Sequence, residues 1–482
     1  MDRKTKAIIL SVGIGTFMAS LDSGVVNLAM PLIRADFGIT LSMVEWIVTA
    51  YLLVVSSLLL MYGRMADMYG HKKVYMTGFV IFTVGSLLCG LSFHIGLLIA
   101  SRVVQAIGAG MLFSTGPAII TNAVSPERRG KALSVTAIAV ALGLSTGPVV
   151  GGVLSTLLGW QSIFFINIPI GVIGLLLVRK NIPKDEKKTA VPFDMAGSVM
   201  IFFALLLILM PLSLSGDYAI PAVLFISLIA AGLLLIVIFV LFELRCKHPM
   251  LNVRFFKNRT FAASNTAAVF IYMAQFIMVF LAPFYLQNLR GFSAMMSGFI
   301  YLPMPIATMC IAPISGSISD KVGSKYISAF GAFLMGCGLF MLSFLQTDTS
   351  VIFMMTAMIV TGLGFGMFQT PNNSAIMGSV PSLNRGTASG TLATMRNIGM
   401  CLGVAVSGAL FSSLQNASTA ELLAQGQSGG LLQNNAFINA MHGTFMAAAI
   451  VALLSMAASL VKQKNHMTST PNSAQKAAEE KL

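Results

Sequence analysis

The sequence predicts an all-α polytopic membrane protein. It has fourteen transmembrane helices, arranged as two pseudo-symmetric six-helix bundles plus two central extra helices. Three observations carry this. The 482 residues are 56% hydrophobic and only 10% charged, with mean hydropathy +0.85, whereas a soluble domain carries roughly 25% charged residues. The apolar residues fall in runs suited to crossing ~30 Å of hydrocarbon as helices of ~20 residues, whose backbone hydrogen bonds close within the segment. Basic residues collect in alternate connectors, as the positive-inside tendency requires.

The first six spans run roughly 7–30, 43–62, 74–93, 95–118, 132–156 and 162–179. A central pair covers roughly 195–213 and 220–242, and the last six roughly 261–286, 295–314, 326–346, 351–373, 388–412 and 440–461. The chain thus divides into an N-terminal bundle (1–180), a linker with the two extra spans (181–260), a C-terminal bundle (261–461) and a cytoplasmic tail (462–482). With both termini in the cytoplasm, 26 of the 30 Lys and Arg residues lie on the cytoplasmic side. Arg34 and Arg290 fall in outer connectors, and Arg102 and Arg396 within spans. Dropping one span early in the chain would destroy this segregation. The net charge of +14 is therefore topological and calls for no nucleic-acid partner.

Cys89, Cys310, Cys337 and Cys401 lie within spans and Cys246 in a cytoplasmic connector, so no disulfide framework is expected. No cleavable signal peptide is expected either.

The two halves repeat each other. "GRMADMYGHKK" at 63–73 returns as "GSISDKVGSKY" at 316–326, with Asp67 and Asp320 offset by 253 residues. An offset of 256 superposes Gly108 and Gly110 on Gly364 and Gly366, and Arg129 on Arg385. The same offset carries Gly143, Gly147 and Gly152 onto Gly399, Gly403 and Gly408. Duplicated bundles around a central cavity suit alternating access. A channel or a membrane enzyme could share that plan, but there is no His-Glu-x-x-His stretch, no paired Cys/His cluster and no phosphate-binding loop.

Several stretches resemble signatures of the major facilitator superfamily. The loop from Gly63 through Asp67 to Gly70, with Lys72, is similar to its motif between spans 2 and 3. "SRVVQAIGAG" (101–110) is similar to the span-4 motif with a buried arginine, and "GLSTGPVVGG" (143–152) to the antiporter motif of span 5. "LDSGVVNLAMP" (21–31) and "GWQSIFFINIPIGV" (159–172) resemble signatures of the fourteen-span drug:proton antiporter branch. The chain departs from the pattern where Met68 replaces a basic residue and Gly24 a threonine. His71 also stands near the loop's basic cluster.

Asp22 is the acid that an apolar helix can least tolerate, because an ionised carboxylate within a span costs several kcal/mol (~2.5–3.5 on an insertion scale). It must be paired, hydrated or protonated. At 1.5 Å per residue, Asp22 lies ~12 Å and Arg102 ~10 Å below the same outer surface. A pair at one depth can act as a proton switch, since burial raises a carboxyl's proton affinity and a guanidinium lowers it. It can also be a purely structural pair. Glu45 and Asp194 sit near span ends and are read as interfacial, as are His442 and His94.

Gly143, Gly147 and Gly151 recur every four residues, and a smooth stripe of this kind permits close helix packing. Pro148 can kink the helix, and Gly152 extends the motif. The resemblance assigns this stretch to a seal between the bundles in the inward-facing state; ordinary small-residue packing is the other reading. The resemblance likewise makes Gly63, Asp67, Gly70 and Lys72, with Arg129, Asp320 and Arg385, a cytoplasmic latch of the outward-facing state.

Candidate cargo contacts are Asp22, Asn27 and Gln105 in the first half, and Asn265, Gln275, Gln287, Gln369 and Asn373 in the second. With 32 Met and 33 Phe, the chain can line a cavity for amphiphiles. The resulting expectation is a proton-coupled multidrug antiporter that exports lipophilic, cationic compounds. It needs no cofactor or metal, only the protonmotive force. Alternatives are a dedicated exporter of one amphiphile or antibiotic and a proton-coupled uptake symporter. A monomer in the lipid bilayer of the cytoplasmic membrane is expected, and the sequence names no auxiliary periplasmic partner.

Overall fold

A computed structural model describes residues 3–124, 129–183, 195–214, 220–246, 251, 253–381 and 385–461. Asp194 and the tail 462–482 lie outside the described residues, as do several side chains, among them those of Arg129, Asp320 and Arg385. The described residues are mostly helical, with no strand among them.

The first bundle contains α1 (Arg3–Phe37), α2 (Leu41–Tyr69), α3 (His71–Gly90), α4 (Ile95–Ala123), α5 (Arg129–Leu158), α6 (Ser162–Phe165) and α7 (Asn167–Asn181). Two extra helices follow, α8 (Met195–Leu214) and α9 (Ala222–Arg245). The second bundle contains α10 (Arg259–Phe284), α11 (Ala294–Tyr301), α12 (Pro303–Val322), α13 (Ser324–Leu342), α14 (Val351–Gly378), α15 (Arg385–Ala424) and α16 (Gly429–Leu460). Helix α6 continues into α7 and α11 into α12, so each couple makes one span. Among the described residues 13 helical stretches are long and apolar enough to cross a membrane, and α5, at 30 residues, completes the fourteen.

Local chemistry sets the helix ends. Thr40 Oγ1 accepts from the Met43 amide, and Ser350 Oγ from that of Phe353. His94, read above as interfacial, accepts from the Leu97 amide through Nδ1. Each satisfies one of the amide donors that a helix start leaves open. Between α2 and α3 the chain turns at Gly70 (φ 101°), and between α12 and α13 at Gly323 (φ 94°), a region that glycine enters without strain. The repeat extends to packing. A Cβ on Gly108 would lie 2.7 Å from the Gly78 carbonyl oxygen, and a Cβ on Gly364 the same distance from that of Gly331. The α3–α4 and α13–α14 contacts are therefore built on one plan.

Helix α8 packs along the seam where α2 of the first bundle meets α15 of the second, and α9 packs on α8. Helix α9 leaves Val223, Leu224, Ile226, Leu233 and Leu234 exposed, a surface suited to lipid.

Several helices outrun the sequence-based boundaries. Helix α1 continues past Pro31 to Phe37, and α15 and α16 extend to Ala424 and back to Gly429. Much of the polar stretch expected as an outer connector is therefore helical, because hydropathy marks where lipid begins and not where a helix stops. Span 10 is interrupted at Leu302, before Pro303, whose ring cannot continue the hydrogen-bond ladder.

Candidate functional site

Five elements of the first bundle converge on Asp22. The residue is fully buried and its carboxylate accepts three hydrogen bonds. Arg102 Nη1 donates to Oδ2 at 2.7 Å; Gln105 Nε2 at 2.8 Å and Asn167 Nδ2 at 2.9 Å both donate to Oδ1. The depth match between Asp22 and Arg102 is thus a direct ion pair, although α1 runs seven residues beyond its expected end.

The arginine is itself held on several sides. Its Nε donates to the Ile47 carbonyl at 3.1 Å, and its Nη1 also donates to Gln105 Oε1. Its guanidinium stacks over the Tyr51 ring at 4.1 Å. Gln105 Nε2 donates further to Ser86 Oγ at 2.7 Å. A buried charge pair is tolerable only when its remaining hydrogen-bonding capacity is met, and here α1, α2, α3, α4 and α7 each supply a partner. Sequence reading missed Asn167, Ser86 and Tyr51. Asn167 stands in the quoted 159–172 stretch, where a lone amide in an apolar run was the available signal.

The glycine stripe turns mostly inward on its own bundle. A Cβ on Gly143, Gly147 or Gly151 would lie within 2.9 Å of α1 backbone, at Leu21, Gly24 and Val25 respectively. This differs from the seal between bundles that the resemblance implied for the stripe. Gly152 and Pro148 do face the other bundle. A Cβ on Gly152 would run into Ala294, and one on Gly298 would lie 2.5 Å from the Pro148 carbonyl oxygen. The reason is periodicity: steps of four keep one face, whereas Gly152 and Pro148 lie on another.

Contacts joining the bundles gather away from the basic connectors. Gln287 Nε2 donates to the Leu28 carbonyl at 2.8 Å, and the Met295 amide to Thr156 Oγ1 at 3.2 Å. Gln287 is therefore part of this seam. Cys401 Sγ lies 3.7 Å from the Thr49 carbonyl. Glu45, expected to be interfacial, is instead fully buried in the seam. It accepts from Ser213 of α8 and lies against Gly408 of α15. Its place near a helix start suggested water, but α8 and α15 cover that point.

At the basic end, His71 Nε2 lies 3.4 Å from Asp67 Oδ1, whose side chain is half exposed. Lys72 Nζ donates to the Arg179 carbonyl at 2.9 Å and to that of Ile182, closing the carbonyl end of α7. These contacts are internal to the first bundle. Gly63 lies on α2 beside Ser114.

The amide candidates divide. Asn27 and Asn265 are buried and donate one turn back, to Ser23 and Phe261 carbonyls at 2.8 and 2.9 Å. Asn27 Oδ1, Asn265 Oδ1 and Gln275 Oε1 have no partner. Gln369 donates to the Tyr272 hydroxyl at 2.9 Å, and Asn373 is half-buried on α14. His442 Nε2 lies 2.6 Å from the Leu345 carbonyl.

Residues 12–404 match the model of the Major Facilitator Superfamily. The chain belongs to that superfamily.

As a major facilitator protein it is a multi-pass membrane transporter and not an enzyme. It is 37% identical to the riboflavin transporter RibZ of Clostridioides difficile (strain 630), over 84% of this chain and 88% of that one. It is 32% identical to the uncharacterized transporter YebQ of Escherichia coli (strain K12), over 92% and 93%. Identity to the multidrug transporter protein MdtP of Bacillus subtilis (strain 168) is 31%, over 85% and 76%. Its fold is similar to that of a bacterial homolog to the human lysosomal transporter Spinster in an inward-facing, occupied conformation. The TM-score is 0.72 at 14% identity, over 96% of this chain and 97% of that one.

Proposed function

We propose that this transporter exports lipophilic, aromatic amphiphiles in exchange for protons, by alternating access across the cytoplasmic membrane. The basic connectors and both termini face the cytoplasm in this reading. The described conformation is then inward-facing, with the bundles joined at the outer side. The observation that carries the coupling is the Asp22 carboxylate, fully buried yet held by Arg102, Gln105 and Asn167.

Ionised Asp22 can accept from all three donors. Once protonated it loses the ion pair, leaving Arg102 without its counter-charge. Proton affinity is therefore tied to whether these helices hold this arrangement. A conformation that parts Arg102 from Asp22 leaves the carboxyl without its counter-charge and binds the proton differently from the closed arrangement. If cargo favours one arrangement and proton the other, exchange follows by linkage. The protonmotive force supplies the energy, and the protein works as a monomer without a cofactor.

Purified protein in liposomes bearing a pH gradient tests this. Uphill movement of an aromatic dye should follow the imposed gradient and vanish in Asp22→Asn. Undiminished uphill transport by that variant would remove Asp22 from coupling.

A second reading, transport of riboflavin itself, is favoured by the 37% identity to RibZ. Competition of riboflavin with the dye separates a dedicated carrier from a broad one. Uptake symport is disfavoured by the antiporter-like "GPVVGG" stretch at 147–152.

A further inference from the structure

We infer that Arg396, Tyr272 and Gln369 form a cargo subsite in the second bundle, built for a planar aromatic anion. The inference rests on the transporter reading but not on proton coupling.

Arg396 is a cation within a span, where a charge marks a pathway more often than a scaffold. The other arginine within a span, Arg102, is neutralised by Asp22 at 2.7 Å. Arg396 has no such partner. Neither ion pair seen among the described residues, Arg102–Asp22 or His71–Asp67, involves it, and Arg396 Nε is buried with no hydrogen-bond partner. From Arg259 to Val461 the acids are Asp320, Asp348 and Glu421, all near helix ends or in a connector.

An aromatic ring stands beside Arg396. Its guanidinium carbon lies 5.8 Å from the centre of the Tyr272 ring. The Tyr272 oxygen is already occupied as an acceptor by Gln369, so the phenol's own proton is the part left to offer. Phe365 packs edge-on against Tyr272, with centroids 5.2 Å apart. Tyr272 and Phe365 are buried, so the set combines packed aromatic rings, a guanidinium and an O–H donor. Its complement is a planar ring system carrying acceptor oxygens and negative charge, which a guanidinium holds through charge-assisted hydrogen bonds.

The position suits cargo. Arg396 lies five residues from Cys401, which meets Thr49 of the first bundle. At ~1.5 Å per residue, that is ~7.5 Å to the basic side of that seam contact. The sequence-based expectation was a cationic cargo, with Asp22 among its candidate contacts. Asp22 is saturated by its three donors, whereas Arg396 has no acid paired with it among the described residues.

Two dyes on one scaffold test the inference: fluorescein, a xanthene anion, and rhodamine 123, a xanthene cation. Equilibrium binding to the purified full chain in nanodiscs is read by fluorescence anisotropy. Fluorescein should bind about tenfold tighter or better, and Arg396→Gln should erase that preference. Arg396→Lys should keep part of it, and Tyr272→Phe should weaken fluorescein binding severalfold while leaving the thermal midpoint unchanged. The Tyr272→Phe arm guards against loss of fold in the arginine variant. Equal or tighter binding of rhodamine 123, undetectable fluorescein binding, or full fluorescein affinity in Arg396→Gln would overturn the assignment. No gradient is involved, so such a failure leaves proton coupling standing, just as active pumping by Asp22→Asn would leave this subsite standing.

Discussion

Gly24 of α1 and Gly147 of α5 stand back to back, so close that a Cβ on Gly147 would lie 2.7 Å from the Gly24 Cα. The contact explains why glycine replaces the threonine that the family resemblance leads one to expect at position 24. A side chain there would push α5 away from the helix that carries Asp22. Overpacking of a tight site costs typically ~1–3 kcal/mol. Gly147→Val and Gly24→Thr should each lower the thermal midpoint, and the double variant should be worse than either.

Asp22→Asn should damage stability as well as transport. It leaves the Arg102 charge, almost wholly buried, without its partner, a change worth about 3–5 kcal/mol. Asp22→Asn combined with Arg102→Gln should restore much of the thermal midpoint and none of the uphill transport. Asp22→Glu should retain part of both. Recovery of pumping in the double variant would show that the pair is scaffold alone.

Gly298→Leu should part the two bundles at the seam between α5 and α11. The added side chain would occupy the space now taken by the Pro148 carbonyl, 2.5 Å from a Cβ at that position. Spin labels at Ala35 and Asn288, both exposed near the ends of α1 and α10, report the separation in a chain whose native cysteines are replaced. The distance distribution should lengthen relative to the parent.

Glu45 ties α8 to the seam through Ser213. Glu45→Gln keeps an acceptor for that hydroxyl and should keep α8 in place. Glu45→Leu and Ser213→Ala remove the bond, a loss of about 1 kcal/mol or somewhat more for a charged acceptor. Hydrogen exchange in α8 should accelerate in both while that of α13 stays unchanged.

Much of the fold was legible before any coordinates. Span positions, the twofold repeat and the Asp22–Arg102 depth match follow from hydropathy, charge and helix rise, which are local quantities. The rest of the network was not, because Asn167, which donates to Asp22, and Ser86, which accepts from Gln105, lie 145 and 64 residues from Asp22 along the chain. Polar residues in apolar runs look alike until packing brings some of them together.

The sequence by itself determined how many times the chain crosses the bilayer, and that its two halves share one plan. Tertiary structure alone decided that the glycine stripe serves α1, that Glu45 is enclosed by α8 and α15, and that Arg396 lacks an acid. A helical period states which side chains share a face. What that face meets depends on neighbours hundreds of residues away, and those neighbours set whether a charge is neutralised or left for cargo.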